Sequence, residues 1–219
     1  MKSDKLYPES KVELNSFSAK NYDRIMNIAS FGLYCGFIRK AIQAMDIQSE
    51  DKILDLGCGT GRNALIMNAY LNPNGKITCM DNSPVMEEIF KKKCGKYKHI
   101  DFIRQRIDQP FDLSDQFDKV WISFVIHGFP HEIRLAVLEN VFKHLKTGGL
   151  FFMLDFSEFE LHEMPALYRF VFQRFECKYA FDFIKRDWKK ILSGYHFAKF
   201  EEFFFFDRYV RLLRAEKAG

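Results

Sequence analysis

From residue 52 onward, two kinds of apolar pattern alternate along the chain. Short apolar runs predict buried strands near residues 52–57, 76–80, 100–104, 118–124 and 149–155. Between them, apolar residues recur at helical spacing, as from Ile133 to Leu145, where the helix is predicted to end in a basic, glycine-capped turn at Lys146–Gly149. Strands that alternate with helices indicate parallel βαβ units with right-handed crossovers, so an α/β sheet is expected.

The two ends of the chain follow other patterns. Residues 1–12 are polar and carry no period, which predicts a loose arm. Two amphipathic helices are then expected, one around Ile25–Ala29 and one from Leu33 to Met45. At the other end, Ala198–Phe206 and Tyr209–Ala215 are predicted to form an antiparallel hairpin, since the connection between them is short. The expected organisation is an arm with cover helices over residues 1–46 and one main domain over residues 47–219.

An aromatic-rich segment, residues 156–190, separates the fifth strand from the hairpin and predicts a helical lid insertion. Its apolar residues recur at helical spacing, while Arg169, Arg174 and Lys178 lie off that face. An apolar stripe usually packs against the domain, and a lid over an apolar pocket would pack in the same way, so both interpretations stand. The stripe consists of Leu167, Tyr168, Val171, Phe172 and Phe175.

The most informative stretch is a glycine-rich loop between the first strand and its helix. Gly57, Gly59 and Gly61 allow a sharp turn, close approach of a ligand and close packing of the helix on the strand. Their spacing differs from the G-x-G-x-x-G of pyrophosphate-binding dehydrogenases, because the third glycine comes one residue early. Asp55 precedes the first glycine by two residues, where a carboxylate suits a cationic amine. The alternative is a tight turn that binds nothing.

Asp81 follows the second apolar run and stands twenty residues after Gly61. A carboxylate at this strand end can accept both hydroxyls of a ribose, and the alternative role is a helix N-cap. The loop together with this acid resembles the first motif of the class I S-adenosylmethionine-dependent methyltransferases. The resemblance implies S-adenosylmethionine as cofactor and a Rossmann-like, mostly parallel seven-stranded sheet in the order 3-2-1-4-5-7-6, with strand 7 antiparallel and helices on both faces.

The same resemblance assigns residues to the cofactor, all at the carboxyl ends of the strands. The loop after strand 3 usually reads adenine, and the corresponding pair here is Arg106 and Ile107, with Asp108 as a substitute for the side-chain contact. The other implied cofactor residues are Asp55, Gly57, Cys58, Gly59, Gly61, Asp81, Asn82 and Ser123.

A closer resemblance links Phe17–Ala41 to the ubiquinone/menaquinone biosynthesis C-methyltransferases. Ala19, Tyr22 and Asp23 stand at matching places, as does the Ser30-Phe31-Gly32 break. The chain departs from that family at Ile25 and Met26, and again at Tyr34 and Phe37. The resemblance adds Tyr22 to the cofactor residues and implies a small, apolar aromatic acceptor, with methylation of a quinol-like ring carbon favoured. The residues expected to line the acceptor are Phe31, Tyr34, Phe129 and Phe156.

Carbon methylation of a phenol is assisted by a base that removes the hydroxyl proton. His127 lies in the loop after strand 4, and an imidazole titrates near neutrality, so it is the candidate catalytic residue. The alternative is a loop histidine that hydrogen-bonds the backbone. No metal site is predicted, because Gly128 and Pro130 prevent His127 and His131 from sharing a helical face.

Composition bears on the partners and the cellular location of the protein. A net charge of +4 without a basic run gives no indication of nucleic acid. Cysteines that are odd in number and lack a C-x-x-C pair favour reduced thiols and a cytoplasmic location. No transmembrane segment is expected, although peripheral membrane contact is compatible with the sequence. The alternatives are an O- or N-methyltransferase of a small polar metabolite, a nicotinamide-dependent oxidoreductase, and a non-catalytic binding protein.

Overall fold

The structure is a computed structural model, and it describes Tyr7, Ser10 and residues 34–219, with Tyr34 described by its backbone alone. The first predicted amphipathic helix, around Ile25–Ala29, lies outside the described residues. The second is present over Tyr34–Gln43 and ends two residues before Met45, the predicted end.

The described part of the chain forms a seven-stranded sheet in the order β3-β2-β1-β4-β5-β7-β6. Strands β1 to β5 pair in parallel, whereas β7 runs antiparallel to both β5 and β6. The predicted topology is therefore confirmed, including the C-terminal hairpin. The strands are β1 (Lys52–Leu56), β2 (Lys76–Asp81), β3 (Ile100–Arg104), β4 (Phe117–Ser123), β5 (Leu145–Phe156), β6 (Phe197–Phe205) and β7 (Val210–Lys217).

Helices connect the strands and follow β5. Short 3₁₀ turns also occur at Asn68–Tyr70 and Ile126–Gly128. In the described ranges, none of the helices has the length and apolar character that a bilayer crossing needs. The helices are α1 (Tyr34–Gln43), α2 (Arg62–Met67), α3 (Pro84–Cys94), α4 (His131–His144), α5 (Ala166–Phe175), α6 (Lys178–Phe183) and α7 (Trp188–Gly194).

Alternate residues of the central strands enter two cores, one on each face of the sheet. Leu54 and Val120 belong to the core that α4, α6 and α7 cover, whereas Ile53 and Trp121 belong to the core under α1, α2 and α3. Since successive strand residues point to opposite faces, a strand buried on both sides is apolar along its whole length. This arrangement leaves the carboxyl ends of β1, β2 and β4 at one edge, where the loops gather.

Two expectations about the chain are wrong in detail. The helix before β5 ends at His144, and Lys146–Gly149 belong to β5 as a bulge between the pairs Phe117–Leu145 and Lys119–Leu150. Leu145 has an extended backbone, with a ψ of 139°, and pairs with Phe117 of β4, and Gly148 supplies a left-handed φ of 75°. The arm is also not loose where it is described, because the hydroxyl of Tyr7 hydrogen-bonds Asp108 and Ser10 is buried.

The lid insertion contains α5 and α6, and α7 begins within its last residues. Phe172 is the residue of α5 that packs inward, against Phe156 and Phe181 at ring-centroid distances of 5.0 and 5.2 Å. The expectation that the whole α5 stripe packs on the domain is wrong, because most of the stripe faces outward. In the stripe, the exposed fractions are 71% for Leu167, 52% for Tyr168, 44% for Val171 and 63% for Phe175, and Phe170, which is not part of the stripe, is 65% exposed.

Candidate functional site

The glycine loop follows β1, and two of its glycines are closely packed while the third is not. Gly57, Gly59 and Gly61 all have positive φ values, of 73°, 55° and 78°. A Cβ on Gly57 would lie 2.6 Å from Val125, and one on Gly61 would lie 2.5 Å from Phe90, so both positions require close packing. A Cβ on Gly59 would meet nothing nearer than 4.0 Å. The open side of the loop, where a ligand has room, is therefore at Gly59.

Asp81 joins the end of β2 to this loop. Its carboxylate accepts hydrogen bonds from the backbone N–H groups of Gly59, at 2.9 Å, and Ser83, at 2.8 Å. Burial raises the pKa of Asp81, although the backbone donors oppose that shift. The alternative role as N-cap of α3 is wrong, since the hydroxyl of Ser83 caps that helix. Two donors leave carboxylate lone pairs for further hydroxyl groups. Asn82, the next residue, is exposed.

Asp55 is buried beneath the same loop, and one of its two carboxyl oxygens is unpaired in the described chain. Its Oδ2 has no hydrogen-bond partner among the residues that the structure describes. Burial, reinforced by the nearby charge of Asp81, raises the pKa of Asp55 to about 8. A buried carboxyl group that lacks a partner is costly to ionise, and a cationic ligand would lower that cost. This acceptor fits the amino group of the expected methyl donor.

The remaining residues predicted to bind the methyl donor differ in whether their side chains face the glycine loop. Asn63, which the sequence analysis missed, donates to the hydroxyl of Ser123 at 3.1 Å, and its own Oδ1 is buried without a partner in the described chain. Polar groups from α2 and β4 therefore face one another beside the loop. The side chain of Cys58 instead joins the apolar core near Cys79, so only its backbone belongs to the loop surface.

On the far side of β2, the predicted adenine-reading residues form a cluster. Asp108 is buried and binds Arg106 through a 3.1 Å bond from Nε and a second contact from Nη2. The hydroxyl of Tyr7 donates to Asp108 at 2.5 Å, and its ring meets Phe129 edge-on at 5.5 Å. Burial and Asp108 raise the pKa of Tyr7 to about 12. Ile107 is buried, and its carbonyl oxygen accepts a bond from α4.

His127 lies in the 3₁₀ turn after β4 and is paired with Asp155 at the end of β5. Its Nδ1 is 2.8 Å from Asp155 Oδ1, and its backbone N–H donates to Oδ2 at 3.3 Å. Glu176, the residue after α5, lies 3.7 Å from Nε2. Burial opposes the charged imidazole, but the two carboxylates outweigh burial and raise the pKa of His127. The alternative of a histidine bound only to backbone is wrong.

Aromatic side chains surround this histidine. The ring of Phe156 lies 5.1 Å from that of His127, and Phe183 lies 6.4 Å away on α6. Phe129, predicted to share the acceptor wall with Phe156, is buried and packs edge-on against Tyr7, and its contact with an acceptor stays a prediction. Tyr22 and Phe31 lie outside the described residues, and the side chain of Tyr34 is not described.

The partners of His127, together with Tyr7 and Asn63, were not predicted from the sequence. Asp155 carried one signal, because an acid at the carboxyl end of a buried strand stands where ligands bind. Glu176 and Tyr7 carried none, since their contacts join distant parts of the chain. Across the described ranges, no three His, Cys, Asp or Glu side chains are grouped as a metal site would need.

Solved structures share this fold at low sequence identity. Human N-acetylserotonin methyltransferase in complex with S-adenosylmethionine superposes with a TM-score of 0.69 and 18% identity, over 94% of this chain and 57% of that one. A SAM-dependent methyltransferase from Aquifex aeolicus gives a TM-score of 0.67 and 14% identity, over 94% and 100%. These likenesses establish the fold alone.

Sequence similarity identifies the family. Demethylmenaquinone methyltransferase from several Staphylococcus aureus strains, among them JH9 and Newman, is 29% identical over 156 residues, which is 71% of this chain. The match spans 64% of the length of those relatives. The pattern of the ubiE/COQ5 methyltransferase family matches residues 8–181, and the resemblance noted from the sequence is confirmed. The chain belongs to the ubiE/COQ5 methyltransferase family.

Proposed function

We propose that the protein methylates a small apolar aromatic acceptor with S-adenosylmethionine, and that a ring carbon of a quinol-like acceptor receives the methyl group. The observation that carries the proposal is the pairing of His127 with Asp155 among aromatic side chains, at the same sheet edge as the glycine loop. Family membership supports methyl transfer over nicotinamide chemistry and over a scaffold without activity.

The residues around the glycine loop fit S-adenosylmethionine in three respects. Gly59 leaves open space, Asp55 has a buried oxygen without a partner in the described chain, and Asp81 has lone pairs to spare. We assign the methionine end to Asp55 and the loop, the ribose to Asp81, and the adenine to the neighbourhood of Ile107. When bound, S-adenosylmethionine supplies an electrophilic methyl group on a sulfonium centre.

The contribution of the chain is orientation, exclusion of water and removal of one proton. A carboxylate can only accept hydrogen bonds, so Asp155 fixes the proton of His127 on Nδ1 and leaves the lone pair on Nε2. Neutral His127 can then take the hydroxyl proton of a phenolic acceptor. Loss of that proton moves electron density into the ring and activates its carbon. Such a base contributes about 10² to 10⁴ in rate.

The side chains around His127 support an apolar aromatic ring as the methyl acceptor. Phe156 contacts Phe124, His127 and Phe172, so that β4, β5 and the lid meet around it. Aromatic faces of this kind suit a planar ring, and each methylene of a buried hydrocarbon tail gains about 0.8 kcal/mol. The relatives in Staphylococcus aureus are named for demethylmenaquinone, which agrees with such an acceptor.

The exposed side of α5 supports contact with a lipid surface that would hold the acceptor. Four large apolar side chains on this helix are at least half exposed, and the helix also carries Arg169 and Arg174 but no acidic residue. Apolar and basic side chains on one helix are typical of interfacial binding to anionic lipid. The inward side of the same helix carries Phe172, next to Phe156.

An amine acceptor is the second candidate, because two carboxylates lie beside His127. A screen with methyl-labelled S-adenosylmethionine separates the two, with prenylated hydroquinones in one set and polar phenols and amines in the other. We expect label in the prenylated hydroquinones and at least tenfold less in the polar set, the factor for about 1.4 kcal/mol of lost apolar burial. Labelling of the polar set alone would exclude the apolar acceptor.

A further inference from the structure

His127 lies between two carboxylates that come from different parts of the fold. Asp155 belongs to β5 and contacts Nδ1 at 2.8 Å, whereas Glu176 follows the lid helix α5 and approaches Nε2 to 3.7 Å. Arg134 of α4 is the charged group that opposes them, since its Nη2 donates to the carbonyl oxygen of His127 at 3.2 Å. The imidazole therefore has one carboxylate at each nitrogen.

The carboxylate of Asp155 is fixed by the sheet, whereas the position of the Glu176 carboxylate depends on the lid. Asp155 is buried in the sheet and also accepts the N–H of Phe156 at 2.8 Å, so it moves only if β5 moves. Glu176 is partly exposed, and its backbone N–H is bonded to Phe172 of the lid helix. Since Phe172 is the buried residue of α5, the position of Glu176 depends on how this helix is seated.

We propose that Glu176 is a positioning residue through which the lid helix controls the protonation of His127. With the lid seated, the carboxylate of Glu176 stabilises the imidazolium, and with the lid displaced only Asp155 does so. The linkage is reciprocal. If the seated lid favours protonation of His127, then protonation of His127 stabilises the seated lid by the same free energy. The role in turnover rests on the proposed function, whereas the electrostatic link does not.

In turnover, the link defines where the proton goes. The O–H bond of the acceptor breaks, its electron pair stays on the acceptor, and a bond forms between that proton and Nε2 of His127. The N–H bond then breaks, the proton passes to the partly exposed carboxylate of Glu176, and Glu176 releases it to solvent water. Neutral His127 and ionised Glu176 are both restored, and no other reactant is needed.

The test is an NMR titration of the protein labelled with ¹⁵N in its histidine rings, where the variant His127→Gln identifies the His127 signal. Glu176→Gln removes the charge and keeps the shape. We expect the midpoint of His127 to fall by about one pH unit in this variant, the lower end of the effect of one opposite charge at this distance. Glu163→Gln changes an exposed glutamate of the same insertion, and it should titrate like the wild type.

Equal midpoints in the wild type and Glu176→Gln would overturn the proposal, and so would an equal fall in the Glu163→Gln control. The titration needs no acceptor and no donor, so it separates the two claims. If the midpoint falls but no acceptor is methylated, the proposed function fails and the link stands. If an aromatic acceptor is methylated but the midpoint is unchanged, the link fails and the proposed function stands.

In an active protein, the pH profile of turnover gives the second readout. The pH at which kcat reaches half its maximum should fall with the titration midpoint in Glu176→Gln, while KM for the donor stays within twofold. An unshifted profile beside a shifted titration would contradict the role of Glu176 in turnover, and so would an unchanged maximal kcat, because the variant lacks the carboxylate that takes the proton from His127.

Discussion

Asp55 offers the sharpest test of the donor site, because its two protonation states have opposite effects on folding and on binding. Burial and Asp81 raise its pKa to about 8, against an ordinary value of 3.8. A raised folded pKa gives stability that is complete below pH 3.8 and is lost as the pH rises through about 8. Asp55→Asn removes this titration. The free energy of unfolding of the variant, relative to the wild type, should therefore grow by about 1.4 kcal/mol per pH unit between pH 5 and 7.

Binding should show the opposite trend. If the ammonium group of S-adenosylmethionine requires an ionised Asp55, wild-type affinity rises about tenfold from pH 6 to pH 7, and about one proton is released per donor bound. Asp55→Asn should bind more weakly at pH 7 and lose this dependence. Calorimetry in two buffers of different ionisation enthalpy measures both quantities, with the exposed Asp101→Asn as a matched control. A wild-type affinity that does not change with pH, or an equal slope in Asp55→Asn, would refute the assignment of Asp55.

Three further predictions concern the loop, the lid and the base. Gly61→Ala should lower stability by about 1–3 kcal/mol more than Gly59→Ala in thermal unfolding, because both alanines would need a positive φ but only the Cβ at position 61 would lie 2.5 Å from Phe90. Gly59→Ala should in addition weaken donor binding, and an equal loss of stability in the two variants would contradict this difference. Replacing Leu167 and Phe170 together by Ser should weaken binding to anionic vesicles at least about tenfold in a sedimentation assay, and undiminished binding would exclude α5 as the contact. Because the pKa of His127 is raised, kcat should increase with pH through a midpoint above 6.5, and a profile that falls over that range would count against a neutral base.

Much of the fold could be predicted because the local pattern and the fold agree for most elements. The apolar runs at 52–57 and 118–124 correspond to β1 and β4, and the glycine spacing located the loop that follows β1. The sequence pattern extends the helix before β5 too far, because a basic turn followed by glycines is a typical helix end, whereas Leu145 pairs with Phe117 of the neighbouring strand. Local sequence does not report that tertiary preference.

The site was harder to predict from the sequence, because its contacts join residues that are far apart in the chain. His127 was predicted from its place after β4, but the pairing with Asp155 requires two strands to lie side by side in the right register. The apolar residues of α5 were identified correctly as a stripe, yet periodicity cannot tell which face a helix turns to the domain. Tyr7 reaches Asp108 across 101 positions, a contact that no local pattern encodes.

The central claim is that the protein places a methyl group on a ring carbon of an apolar aromatic acceptor. The most direct measurement is the ¹³C NMR spectrum of the product formed from S-adenosylmethionine labelled with ¹³C in its methyl group, with a prenylated hydroquinone as acceptor and His127→Gln in parallel. The account predicts one labelled methyl group bonded to aromatic carbon, with turnover at least about tenfold lower in His127→Gln. A labelled methyl group on oxygen or nitrogen, or no labelled product from the wild-type protein, would contradict it.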